Sequence, residues 1–289
     1  MKQRAYYSMR TGKNLSALKF DLQTLRRLFS SLYQRHSEEG YFQEAFGYFC
    51  VDGRVSGTLG NDIEAHLLLA LRKSDIWPIE EKIVNYSEHD LFDIIELLYD
   101  LVSKPIKSES SYHAWNGCGW HHTSFDQQMG CQEFRGEVNN LLQDYQEGYE
   151  LSESGEILIL AEPGLDGLLQ APLPEYDSGN VNARIEAAIL KFRRYRSSTE
   201  DRRDAIRGLA DVFEFLRPKL KACLTQKDES DLFNIANNFD IRHHNSEQKT
   251  NYDKDIWHSW MFYFYLSTIH ASLRLIKRSE EKQPTATTN

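Results

Sequence analysis

DIWHSWMFYFYLSTIHASLRL, residues 255–275, decides the fold class. Trp257, Trp260, Met261, Phe264, Ala271 and Leu275 recur at helical steps, which predicts a long helix over about 255–277. Its first half is apolar nearly all round, so it belongs at the centre of a bundle or at a subunit interface. Working outward, Ile206, Leu209, Phe213 and Leu216 line one face of a helix from about 200 to 217, which Pro218 should stop. Ile185, Ala188, Ile189 and Phe192 mark another over about 181–196, and 228–239 reads as a further one. Four helices with short connections predict a bundle over 181–278, followed by a flexible polar tail at 279–289.

Upstream, AEPGLDGLLQAPLPEYDSGN (161–180) gathers three of the seven prolines and reads as a linker. Before it, residues 1–160 predict a separate helical domain of unknown role. Leu15, Leu18, Leu22, Leu25, Leu28 and Leu32 make one stripe, and 62–73 make a second helix. Ser87 with Asp90 caps a third helix over about 88–102. Phe134, Val138, Leu141, Leu142 and Tyr145 mark a fourth over 132–146. GYELSESGEILIL (148–160) then places a Ser-Gly turn between short apolar runs, a small β-hairpin. The fold class is mainly α.

Composition excludes several classes. A 40% hydrophobic and 12% aromatic content supplies a core and rules out a wholly disordered chain. Four Cys at irregular spacing do not form a disulfide framework. MKQRAYYSMRTGKN lacks the apolar core of a signal peptide, and no run approaches a membrane span. The expectation is a cytoplasmic protein without membrane contact. The net charge of −9 is uneven. From residue 182 onward 19 basic residues face 15 acidic ones, whereas the first 181 residues hold 15 against 28. That asymmetry suggests two domains with different partners, one of them a possible protein partner of residues 1–160.

The densest chemistry-bearing cluster precedes the last helix: Asp240, Ile241, Arg242, His243, His244 and Asn245. A guanidinium can hold a phosphate through paired hydrogen bonds, and imidazoles move protons near neutral pH. Such groups suit metal-free RNA cleavage, in which the 2′-hydroxyl attacks its own phosphate. Helix capping, with Arg242 paired to Asp240 or Asp211, is the competing reading.

RRDAIRGLADVFEFLRPKL, DLFNIANNFDIRHHN and the aromatic helix together resemble the HEPN superfamily of helical bundles, especially those of bacterial abortive-infection proteins. The resemblance covers roughly 180–277. It implies a dimer with two Arg-centred motifs across a cleft, and for many members metal-independent ribonuclease activity in toxins or antiphage defence. Arg242 matches the motif arginine and His243 the polar residue after it; Asn245 adjoins them, and Glu214 resembles an acidic position facing the motif. The family pattern wants a later His where Glu247, Gln248 and Lys249 stand. Two functions therefore follow: an endoribonuclease, or a non-catalytic RNA-binding or dimerisation module serving as sensor or antitoxin-like subunit.

Three other features compete for attention. Arg193, Arg194, Arg196, Arg202 and Arg203, with Lys191 and Tyr195 interleaved, could track an RNA backbone or simply solvate a helical turn. YHAWNGCGWHHTSFDQQMGC (112–131) offers His113, Cys118, His121, His122 and Cys131. Cys118 and His121 have zinc-like spacing, but a structural site needs two ligand pairs and the second is missing. The loop therefore reads first as packed aromatics, with zinc, or a Cys118 nucleophile activated by His121 or His122, behind it. No metal or cofactor is expected. DGRVSGTLG (52–60) lacks the Lys-Ser/Thr ending of a phosphate-binding loop.

Overall fold

The computed structural model describes residues 7–11, 19–223, 233 and 252–282. The chain divides into two compact units, Met1–Leu160 and Ala161–Asn289. The fold is mainly α, with small two-stranded antiparallel sheets in the first unit. Among the described residues, no helix is long and apolar enough to cross a membrane.

The first unit is built on three long helices. Helix α1 (Leu22–Glu38) begins where the Asp21 carboxylate accepts the Thr24 N–H. A shorter α2 (Ile63–Leu71) follows, and then α3 (Glu88–Leu101). Ser87 and Asp90 close a reciprocal capping box at the start of α3, as the sequence predicts. Asp90 also holds Lys73 at 2.7 Å, and these bonds pull its carboxyl down to about 2 against the opposing effect of burial. Helix α4 (Gln127–Leu142) crosses α1, with Phe29 edge-on to Phe134 at 6.4 Å. Leu91, Ile94, Ile95 and Leu98 of α3 are fully buried and fill the interior.

Short sheets finish this unit. The predicted hairpin forms as β7 (Tyr149–Leu151) and β8 (Ile157–Ile159). Asn139 of α4 accepts the Leu151 N–H and donates to the Leu151 carbonyl, so a side-chain amide caps the hairpin edge like a strand. Three further strand pairs carry no alternation long enough to read from sequence: β1 (Tyr48–Cys50) with β2 (Gly53–Val55), β3 (Lys104–Pro105) with β6 (Phe125–Asp126), and β4 (Ser110–His113) with β5 (Gly119–His122).

The second unit is a set of packed helices: α5 (Ala183–Arg193), α6 (Thr199–Leu220) and α7 (Lys254–Lys282). Ile206, Leu209, Phe213 and Leu216 face inward, and Phe192 stacks on Phe262 with ring centroids 4.0 Å apart. The region 228–239 is described only at Phe233, which is buried and stacks on Phe213 at 4.3 Å.

Three expectations change. Helix α6 does not stop at Pro218 but runs on to Leu220, whose complete burial anchors the last turn. The Lys221 N–H bonds the Arg217 carbonyl, so proline removes one bond without ending the helix. Residues 161–180 are not a bare linker: Asp166–Gln170 is a short helix, and Leu165, Leu168, Leu169, Leu173 and Tyr176 pack on the bundle core. The polar tail is helical through its first residues, with Glu280 of α7 holding Lys219 at 3.0 Å; residues 283–289 lie outside those described.

His258 and His270 lie buried on α7, each with Nδ1 lacking a hydrogen-bond partner among the described residues. Burial, then neighbouring cations such as Lys254 and Arg274, pushes both rings below the ordinary imidazole value of 6.5. Below about pH 6.5 the unfolded chain takes up protons at these rings that the folded chain refuses, so stability falls as pH falls. Thermal melts at pH 7.5 and 5.5 should show a lower Tm at 5.5, and His258→Gln or His270→Gln should each flatten the difference.

Candidate metal centre

The β1–β2 hairpin folds back on the turn that precedes it through backbone contacts that only small residues permit. Gly47 adopts φ 74°, and a Cβ on Gly57 would sit 2.2 Å from the Ala45 carbonyl oxygen. That closeness lets Thr58 and Leu59 donate backbone hydrogen bonds to Glu44 and Ala45, folding the glycine-containing 52–60 stretch against the one-turn helix Gln43–Phe46. From this turn, the Gln43 amide donates to the Trp120 carbonyl at 3.0 Å and its oxygen accepts the His122 N–H. One side chain thus ties the base of the first hairpin to the edge of β5.

Register then sets which side chains converge. Ser111 pairs with His121 and His113 with Gly119, so His113 and His121 lie on one face while Tyr112 and Trp120 share the other. Gly117 and Gly119, both at positive φ, turn the chain between the strands and present Cys118 on the histidine side. Cys50, at the end of β1, arrives from the other hairpin.

Cys50, His113, Cys118 and His121 place one sulfur or ring nitrogen each within 4.8 Å of all the others. The Cys50 sulfur lies 3.4 Å from His113 Nδ1, and the Cys118 sulfur 3.0 Å from His121 Nε2. All four are half-buried. Tyr48 stacks on the His121 ring at 4.3 Å, and the Cys118 thiol also donates toward the Phe49 carbonyl at 3.6 Å. Burial, then the hydrogen bond with Cys50, pushes the Cys118 thiol up, the opposite of what an activated nucleophile needs.

The second ligand pair, which no local spacing supplies, is present in space as Cys50 and His113. Two of the sequence candidates fall away. His122 points to the other face of β5 and shares a 2.6 Å hydrogen bond with Ser110, and burial holds its pKa below the usual range. Cys131 sits on α4 and donates to the Tyr99 carbonyl at 3.3 Å. Sequence reasoning missed Cys50 because it lies 63 residues before its partner His113. Beside the hairpin opens a cavity of about 280 Å³, walled by Phe42, Phe46, Tyr48, Trp77, Arg54 and Glu80.

No protein-family model, curated protein or solved structure matches the chain.

In the second unit, the predicted motif Arg242, His243, His244 and Asn245 lies outside the described residues. Glu214 is described: it sits half-buried on α6, 3.3 Å from Arg217, whose guanidinium covers the Phe233 ring at 4.3 Å. The five arginines separate into two groups. Arg193 is buried; Arg202 lies over the Phe192 ring at 5.7 Å and 3.6 Å from Asp255; and Arg203 lies 3.4 Å from Glu200. Arg194 and Arg196 are exposed, and Arg196 covers the Tyr195 ring at 5.2 Å. Only the second group presents its side chains to solvent beside an aromatic face.

The hairpin contact makes a direct test. Gly57→Ala forces the new methyl into the Ala45 carbonyl, and denaturant unfolding should report a loss of about 1–3 kcal/mol. Gly136→Ala, on α4 with open space around it and an ordinary helical backbone, is the comparison without crowding and should lose no stability.

Proposed function

We propose that the chain is a HEPN-like, metal-independent endoribonuclease of the abortive-infection or toxin type, acting in the cytoplasm as a homodimer in antiphage defence. The observation that carries the reading is the anchoring of Phe233 between Phe213 and Arg217 of α6. It docks the chain nine residues before Arg242 against the helix that bears Glu214, the acidic position the resemblance pairs with the motif. A helical unit over Ala161–Asn289 and the exposed Arg194 and Arg196 beside the half-buried Tyr195 are in keeping with an RNA-directed surface.

In this reading Arg242 neutralises charge growing on the phosphoryl oxygens as the 2′-hydroxyl attacks. His244 transfers the proton, with His243 able to replace it, and Asn245 orients the phosphate. Labelled RNA incubated with the protein should yield products ending in 2′,3′-cyclic phosphate, with EDTA present or absent. Arg242→Ala and His244→Ala should each lower the rate by about 10²-fold or more. Metal-dependent products ending in 3′-hydroxyl would overturn the mechanism. No cleavage of any RNA by folded protein would favour the non-catalytic RNA-binding or dimerisation module.

The dimer has its own support. Trp257 and Trp260 stay 38% and 43% exposed on α7, packed edge to face, and Trp260 continues into a stack with Phe264. Exposed tryptophans in such a cluster are typical interface anchors. Light scattering at micromolar concentration should give twice the 33.7 kDa chain mass, and Trp260→Glu should halve it.

A further inference from the structure

We propose that Cys50, His113, Cys118 and His121 bind one zinc ion that clamps the β1–β2 hairpin to the β4–β5 hairpin.

Geometry comes first. With Zn–S near 2.3 Å and Zn–N near 2.0 Å, the corners of a tetrahedral site lie about 3.3–3.8 Å apart. The cysteine–histidine pairs stand at 3.4 and 3.0 Å, and no two of the four ligand atoms exceed 4.8 Å. Small rotations about the side-chain bonds bring such a set to the tetrahedron without moving the strands. The nitrogens facing the sulfurs are Nδ1 of His113 and Nε2 of His121.

Ligand chemistry selects the metal. Two thiolates and two imidazoles are the soft-to-borderline set that takes zinc in tetrahedral geometry, whereas Mg²⁺ and Ca²⁺ require oxygen ligands. On binding, each cysteine gives its thiol proton to solvent and forms one Zn–S bond, and each imidazole donates a nitrogen lone pair; nothing is oxidised or reduced. Four protein ligands fill the coordination sphere, which makes the site structural and leaves no position for a reacting water.

The fold also has a mechanical need for the ion. Each hairpin is a sheet of two strands only, and an isolated pair of that size is marginal in water. Neither carries a hydrophobic core of its own: Phe49 is 76% exposed, Trp115 73%, Tyr112 60% and Trp120 53%. The half-buried groups that meet between the hairpins are the four ligands and the Tyr48 ring stacked on His121. Zinc there replaces the apolar packing that the hairpins lack. The ligands are held from behind as well, His121 by the Tyr48 ring and β5 by Gln43.

The test uses the full chain, purified without chelator and with any affinity tag removed. Elemental analysis should find one zinc per chain. Replacement by Co²⁺ should give the intense d–d absorption of a tetrahedral ion together with thiolate-to-metal charge transfer. Cys50→Ala and His113→Ala should each weaken zinc binding beyond the roughly 10–100-fold that an outer-shell contact is worth, while Cys131→Ala and His122→Ala stay within that range. Should a ligand variant fail to fold, iodoacetamide labelling of the wild type supplies the same answer: Cys50 and Cys118 should be protected with zinc bound and react after chelation, with Cys131 unaffected by the metal. Folded wild-type protein that retains no zinc after incubation and desalting would overturn the proposal. So would zinc bound undiminished in both Cys50→Ala and His113→Ala, or an octahedral Co²⁺ spectrum. None of these readouts involves RNA, so the outcome is separate from that of the ribonuclease reading.

Discussion

The edge-to-face packing around Phe134 is the contact on which the first unit depends. This fully buried ring on α4 meets Phe29 and His36 of α1 and Phe42 in the turn after it. Aromatic rings prefer this crossed geometry, so one side chain fixes two helices and the chain that leaves them. Phe42 passes the constraint on: it packs against Tyr33 and Phe46, and Phe46 against Trp77. The turn held in this way is the one that carries Gln43 and therefore the edge of β5. Placement of the four candidate ligand atoms from two hairpins is thus the far end of a chain of aromatic rings that begins in the helical core.

The helices were legible because their physical cause is periodic and local. The stripe of α6 and the α7 aromatics repeat one signal over several turns, the α3 capping box marks a start with local residues, and each element appears within a few residues of its expected place. Apart from β7–β8, which its Ser-Gly turn marks, strand pairs of two to four residues repeat nothing long enough to detect. Their stability comes from what surrounds them: Gly57 against Ala45, Gln43 against Trp120, Asn139 against Leu151. Pro218 misled for a related reason, since the cost of one missing N–H is local while the gain from burying Leu220 is tertiary.

The site shows the same division. Cys118 and His121 stand three residues apart and are readable as a pair, but their partners are chosen by register and by hairpin docking. His121 and His122 are chemically identical neighbours, yet alternation along β5 sends one to the sulfurs and the other to Ser110. Cys131 lies only ten residues beyond His121 and takes no part, because the helix that begins at Gln127 turns it toward Tyr99. Residue type narrows the candidates; topology selects among them.

The two chemistries proposed for this chain make opposite demands on a metal, and the ligand types keep them apart. Two sulfurs and two imidazoles saturate a tetrahedral ion, so a zinc held by the first unit would have no vacancy through which to activate water. Phosphoryl transfer from a 2′-hydroxyl needs no such water: it asks for a cation on the phosphate and a proton carrier, which are the groups grouped at 242–245. A chelator should accordingly act on the two units differently. It would remove the link between the hairpins and expose Cys50 and Cys118, while the chemical step proposed for Arg242 and His244 contains no atom for it to bind.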